Sequence, residues 1–168
     1  MPLVDLWDLP PLLHPGQTVL GLDPGKVVIG VALADPGLCV ASPLIGLQRR
    51  KLVDDLAALA QIMRERFVGG FVIGLPKNMD GTEGPAAQAA RAFARSLLKC
   101  STLPILDPPL AFWDERFSTA AVERALRDDN ASARRRAAVV DKAAAAYILQ
   151  GALDTLRSPR PGLVPTRR

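Results

Sequence analysis

The chain has one histidine, two cysteines and few aromatic residues among its 168 positions, and each scarcity removes a class of chemistry. A lone histidine, His14, excludes multi-histidine metal centres and would force any Ser-His-Asp triad to recruit a residue from the proline-rich leader. His14 reads as a surface loop residue. Cys39 and Cys100 stand far apart, with no Cys-x-x-Cys and no neighbouring histidine, so neither a zinc ribbon nor a disulfide framework is indicated. Aromatic residues make up 5% of the chain and do not line up as a stacking platform, which disfavours single-strand binding by base stacking. No uncharged apolar run approaches the roughly 18 residues of a membrane span, and the N-terminus carries Asp5 and Asp8 without a basic segment. The expected setting is a reducing cytoplasm with no membrane partner.

What is present is a core. Hydrophobic residues are 49% of the sequence, enough for one domain and too little for two. A net charge of +4 and a pI near 9.5 favour a polyanionic partner, nucleic acid first. Residues 1–16 hold four prolines and read as an N-terminal extension, residues 17–157 as the domain, and 158–168 as a basic tail whose composition suggests disorder.

Within the domain, 18–23 and 27–34 read as strands, the second apolar on both faces and therefore central. Asp35-Pro36-Gly37 is a turn signal, and a third strand over 38–47 completes an antiparallel meander. Leu56, Leu59, Ala60, Met63 and Phe67 recur at helical spacing before Gly69-Gly70, read as the helix stop. The apolar run 71–75 ends at Pro76 and leads into the polar loop 77–84. Pro85 suits a first helical turn, with Ala86, Ala89, Ala90, Phe93, Ala94 and Leu97 on one face. A strand over 110–113, a short helix capped by Ser118 or Thr119, and a last helix displaying Val140, Ala143, Ala144, Tyr147, Ile148 and Gly151 follow. The sum is an α/β domain with a mixed five-stranded sheet, a three-strand antiparallel meander plus two parallel strands, flanked by helices.

Three carboxylates could converge. Asp23 ends the first strand at the turn Asp23-Pro24-Gly25, and alternation puts Val19, Gly21 and Asp23 on one face, with Gly21 leaving room for substrate beside the carboxylate. Asp141 precedes Ala144, Ala145 and Ile148 by three, four and seven positions and so borders the helix's apolar stripe. Glu115, after the strand from Leu110, would supply a third ligand. Partly buried carboxylates are costly unless protonated, hydrogen-bonded or paired with a cation. An oxygen-only, negatively charged shell suits Mg²⁺ or Mn²⁺, and two such ions about 3.5–4 Å apart can activate water and stabilise a leaving oxygen. Each carboxylate also has a purely structural reading: Asp23 in an Asx turn with Gly25, Glu115 paired with Arg116 or Arg124, Asp141 paired with an arginine of 134–136. Arg134, Arg135 and Arg136 form a charge run that would ordinarily be solvated, but beside a carboxylate site they could hold flanking phosphates, with Arg116, Lys77 and Asn78 extending the track.

These residues together resemble the YqgF family, also called RuvX-like, of Holliday junction resolvases and pre-16S rRNA nucleases. The resemblance runs from about Val19 to Leu153 and is carried by Leu20-Gly21-Leu22-Asp23-Pro24-Gly25, by Val72-Ile73-Gly74-Leu75-Pro76 with the loop from Asn78 to Gly84, by Trp113-Asp114-Glu115-Arg116 with Ser118-Thr119, and by Asp141-Lys142-Ala143-Ala144-Ala145. It implies an RNase H-like fold, metal-binding carboxylates at Asp23, Glu115 and Asp141, and endonuclease action on branched DNA or on the 5′ end of precursor 16S rRNA. Ser118, Thr119 and Lys142 join the candidate nucleic-acid contacts. The first motif departs from the family pattern, since Lys26-Val27-Val28 stands where a small residue and then basic residues are usual, leaving Lys26 as the hairpin's one cation.

Two other readings compete. An actin-like ATPase also opens with an apolar hairpin carrying Asp-x-Gly, but such proteins close two domains around the nucleotide, and this chain has room for one. Gly21 to Lys26 also fails as a Walker loop, with three intervening residues instead of four and Val27 in place of Ser or Thr. A non-catalytic RNA- or ribosome-binding module would use the basic surface alone and bind without metal. Junction resolution requires two symmetric cuts and therefore favours a homodimer; rRNA trimming does not.

Overall fold

The computed structural model describes residues 3–117 and 133–162, with the backbone alone for Phe117 and for 133–141. Its elements run β1 (Thr18–Pro24), β2 (Val28–Ala34), β3 (Ala41–Gln48), α1 (Leu52–Arg66), β4 (Val68–Leu75), α2 (Pro85–Leu98), β5 (Leu110–Asp114) and α3 (Ala133–Leu156). The sheet order is β3-β2-β1-β4-β5, with β1 to β3 antiparallel and β4 and β5 parallel to β1. The mixed five-stranded sheet expected from the sequence is thus observed.

Strand alternation sorts side chains onto two faces. Leu20, Leu22, Ile29, Val31, Phe71, Ile73 and Leu110 pack with Leu56, Leu59 and Met63 of α1 and Phe93, Ala94 and Leu97 of α2. On the other face, Val19, Ala32, Ala34, Val72 and Ala111 pack with Ala145, Ile148, Leu149, Ala152 and Leu153 of α3. Helix–sheet–helix layers bury both faces, which is why β1 and β4 read as almost continuously apolar.

Local chemistry sets the boundaries. The α1 stop is Phe67 in the left-handed conformation, its N–H donating to the Met63 carbonyl. Gly69 and Gly70, expected as that stop, instead lie within β4, where a Cβ on Gly70 would come 2.9 Å from the Pro109 carbonyl oxygen. These glycines serve close approach of backbones. β3 begins at Ala41, later than the expected Leu38, because Asp35 Oδ1 accepts the N–H groups of Cys39 and Val40 at 2.7 Å and holds that segment as a loop.

The leader is part of the packing. Leu6 and Leu9 are buried in the α3-side core, and the Val4 N–H donates to the Leu110 carbonyl at 2.9 Å along β5. The tail meets it despite a composition that suggests disorder: Arg160 pairs with Asp5 at 2.8 Å and Asp8 at 3.0 Å. Residues 163–168 lie outside the described residues.

Candidate active site

β1, β4 and β5 are parallel, so their carboxyl ends open at one edge of the sheet, where α/β folds collect function. Asp23 lies at the end of β1 and Glu115 directly after β5, with β4 between them. Two strand spacings of about 4.8 Å therefore separate their backbones. Gly74 bridges that gap by having no side chain. Glu115 Oε1 occupies the place a Cβ on residue 74 would take, with Ile148 Cδ1 also 2.6 Å from that position.

The site's electrostatics centre on Glu115. Burial, then the charge of Asp23 and then that of Asp114, raise its pKa from 4.5 to about 7. Oε1 is buried with no hydrogen-bond partner. The Arg116 pairing considered for Glu115 does not form, because Arg116 goes to Asp114 instead, at 2.6 Å from Nη2 and 2.9 Å from Nε. Burial pushes Asp114 upward, but the Arg116 hydrogen bonds outweigh it and, with the charges of Arg116 and Lys77, hold it below the usual carboxylate range. Two adjacent carboxylates therefore differ in kind: Asp114 has a counter-charge, whereas Glu115 faces further negative charge.

Such an orphaned oxygen beside a second carboxylate fits a hard divalent cation, since a cation would supply the missing ligand and cancel the repulsion. Among the described residues no group of three His, Cys, Asp or Glu gathers. The third candidate, Asp141, is on α3 one turn before the buried Ala145, and its side chain lies outside the described residues.

The other candidates distribute as follows. Lys26 is exposed after the β1–β2 turn, which is closed by Gly25 N–H bonds to the Asp23 and Val28 carbonyls at 3.0 Å. Lys77 is half-buried and acts electrostatically on Asp114 and Glu83. Asn78 shapes its own loop, its side-chain amide donating to Thr82 Oγ1 at 2.9 Å and its N–H to the Thr82 carbonyl at 2.8 Å. Lys142 is half-buried on α3. Ser118 and Thr119 lie outside the described residues, as do the side chains of Arg134, Arg135 and Arg136, which occupy the first turns of α3.

Two expectations need correction. Gly21 does not make room for substrate: a Cβ there would come 2.6 Å from Leu149 Cβ and 3.1 Å from the Ala145 carbonyl oxygen, so its function is to seat α3 against β1. Ala86 and Ala89, expected on one apolar helix face with Ala90 and Phe93, are exposed and line a cleft beside Asp23. Sequence reasoning also missed Gly74 as the cradle of Glu115, although a glycine inside a buried strand signals close approach. It likewise missed Asp114 as the group that fixes Arg116.

A model of the RuvX family, described as Holliday junction resolvase, matches residues 17–155. The chain belongs to the RuvX family. Curated relatives carry the name "Putative pre-16S rRNA nuclease". That of Phenylobacterium zucineum is 53% identical over 159 residues, spanning 94% of this chain and 99% of the relative. That of Rhodospirillum centenum is 50% identical over 157 residues, spanning 94% and 84%. Among solved structures, T. thermophilus RuvC in complex with Holliday junction substrate is similar with a TM-score of 0.50 and 12% identity, covering 84% of this chain and 96% of that one. At that identity the likeness concerns the fold, which is RNase H-like. The RuvX match takes in β1 through nearly all of α3 and leaves the leader, residues 1–16, outside.

Proposed function

We propose that this RuvX-family chain is a divalent-metal-dependent endonuclease that hydrolyses phosphodiester bonds in structured nucleic acid, branched DNA or the 5′ end of precursor 16S rRNA. The observation that carries the reading is the buried, unpartnered Glu115 Oε1 beside Asp23. Asp23, Glu115 and Asp141 would hold Mg²⁺ or Mn²⁺, in keeping with two ions. When bound, such ions supply Lewis-acid activation of water and neutralise charge on the leaving oxygen.

The chain's own residues do the rest. Gly74 lets Glu115 lie across β4 toward Asp23, so the pair is set by the sheet and not by a loop. Asp114 holds the Arg116 guanidinium in a fixed orientation, ready to meet a phosphate oxygen next to the scissile one. Lys26, Lys77 and Lys142, with the arginines at 134–136 of the sequence, would supply positive charge for the backbone, and the names of the relatives agree with that choice of partner. A homodimer would serve two symmetric cuts in a junction.

The test is cleavage of labelled four-way DNA junctions and of precursor 16S 5′-end RNA in Mg²⁺, Mn²⁺ or EDTA, with wild type and Asp23→Asn. Metal-dependent cutting should vanish in the variant. Unchanged turnover by Asp23→Asn would overturn the assignment, and binding without cutting in any metal would favour a non-catalytic module.

A further inference from the structure

Beside Asp23, a cleft of about 480 Å³ opens between the β1–β2 turn, the end of β4 and the first turns of α2. Pro24, Pro76, Pro85, Ala86 and Ala89 form its walls, and none of these side chains can donate or accept a hydrogen bond. Among the described residues, Asp23 and Lys26 are the ionisable groups that line it. Ala86 and Ala89 are apolar positions of α2 that the core leaves uncovered, since the helix buries Ala87, Ala90, Phe93, Ala94 and Leu97 instead. The cleft is continuous with the carboxylate site through Asp23.

We propose that this cleft receives the sugar and base of one nucleotide adjoining the scissile phosphate, turned out of its stack. The inference rests on the nuclease reading and adds the form of substrate it selects. The volume falls within the roughly 300–1,000 Å³ of small-ligand clefts, room for one nucleoside and none for a duplex. Apolar proline and alanine walls suit the faces of a base and a sugar and repel a phosphate. Exposed Lys26, on the same cleft, offers a cation to the backbone that leads in. Because the proline and alanine side chains offer no donors or acceptors to a base edge, they discriminate little among the four bases. Selection falls on whether a nucleotide can leave its stack, which is easiest at a branch point or an unpaired end.

The test places 2-aminopurine, whose fluorescence rises on unstacking, singly at each position flanking the scissile phosphate, in a four-way DNA junction and in the precursor RNA. Binding is read in EDTA. Wild type should brighten one position several-fold, and Ala89→Trp, at an exposed helix position and checked for a wild-type melting profile, should remove the brightening. In metal, Ala89→Trp should cut at least tenfold more slowly, and an abasic residue at the brightened position should restore its rate. Ala86→Leu, a smaller plug, should show the same pattern in part. Cutting by wild type with no position brightened, or equal brightening by Ala89→Trp, would overturn this inference alone. Brightening lost in Ala89→Trp, with no cutting in any metal, would support the cleft and overturn the nuclease reading beneath it.

Discussion

Asp55 and Glu115 are both carboxylates taken into the fold, each with a buried oxygen that has no hydrogen-bond partner, and the charges beside them are of opposite sign. Asp55, only 3% exposed, accepts the Arg50 N–H at 3.0 Å, pairs with Arg49 at 3.6 Å and sits in the first turn of α1, where the helix dipole favours negative charge. Arg49 also donates to the Gly25 carbonyl at 3.1 Å and lies over the Phe93 ring, so this carboxylate ties α1 to the hairpin turn and to α2. Glu115 is less buried, yet burial and the charges of Asp23 and Asp114 all act against its ionised form. The difference teaches that depth alone does not mark a functional carboxylate. What sets Glu115 apart is that the charges of Asp23 and Asp114 both act against its ionised form.

The comparison can be broken by substitution. The largest effect is expected at Gly74→Ala, where the new methyl would displace Glu115 from its place over β4. Cleavage should fall roughly 10²-fold or more, as misplaced catalytic groups do, measured as kcat/KM on the preferred substrate. Near-wild-type turnover would show that Glu115 has no need of that position. Next comes Asp55→Ala, which leaves Arg49 without its partner and should destabilise the fold by about 2–3 kcal/mol in denaturant melts. The variant's remaining folded molecules should cut normally. If activity rather than stability collapsed, the structural reading of Asp55 would be wrong.

Glu115→Gln should have the opposite sign. Glu115 binds its proton more tightly in the folded state, so from pH 4.5 up to about 7 the native protein holds more protons than the unfolded chain. Stability without metal should therefore fall as pH rises through that window, by on the order of 1–2 kcal/mol once solvent screening is allowed for. Glu115→Gln should lose this slope and melt higher than wild type at pH 8 in EDTA. An unchanged slope in the variant would place the titrating group elsewhere. The smallest effect is expected for Asp114→Asn, which removes the ion pair that orients Arg116. It should raise KM severalfold with little change in kcat, since Arg116 would bind the same phosphate from a less ordered start. A loss confined to kcat would assign Arg116 to the transition state instead.

Much of this was legible from the chain. Asp23 and Glu115 each follow an apolar strand, and parallel strands end at one edge, so the pairing followed from alternation and topology. The basic residues were legible as charge but not as partners. Arg116 has Asp114 two positions away, and only the turn after β5 decides that it bonds there and not to Glu115. Glycines were the least legible class. Gly21, Gly69, Gly70 and Gly74 all serve close approach, but a sequence does not say whether the neighbour is a helix, a loop, a carboxylate or substrate. The α2 stripe was read two residues too wide, at Ala86 and Ala89, because alanine fits a core face and an open cleft equally well.

The proposed cation site at Glu115 and Asp23 has a direct test that needs no substrate. Unfolding of wild type and Glu115→Gln would be followed at pH 8 as Mn²⁺ replaces EDTA. Wild type should gain stability by mass action, about 2.7 kcal/mol at a hundred times Kd, and the variant should gain far less. Equal gains in both proteins would mean that the ion binds elsewhere and that Glu115 is not its ligand.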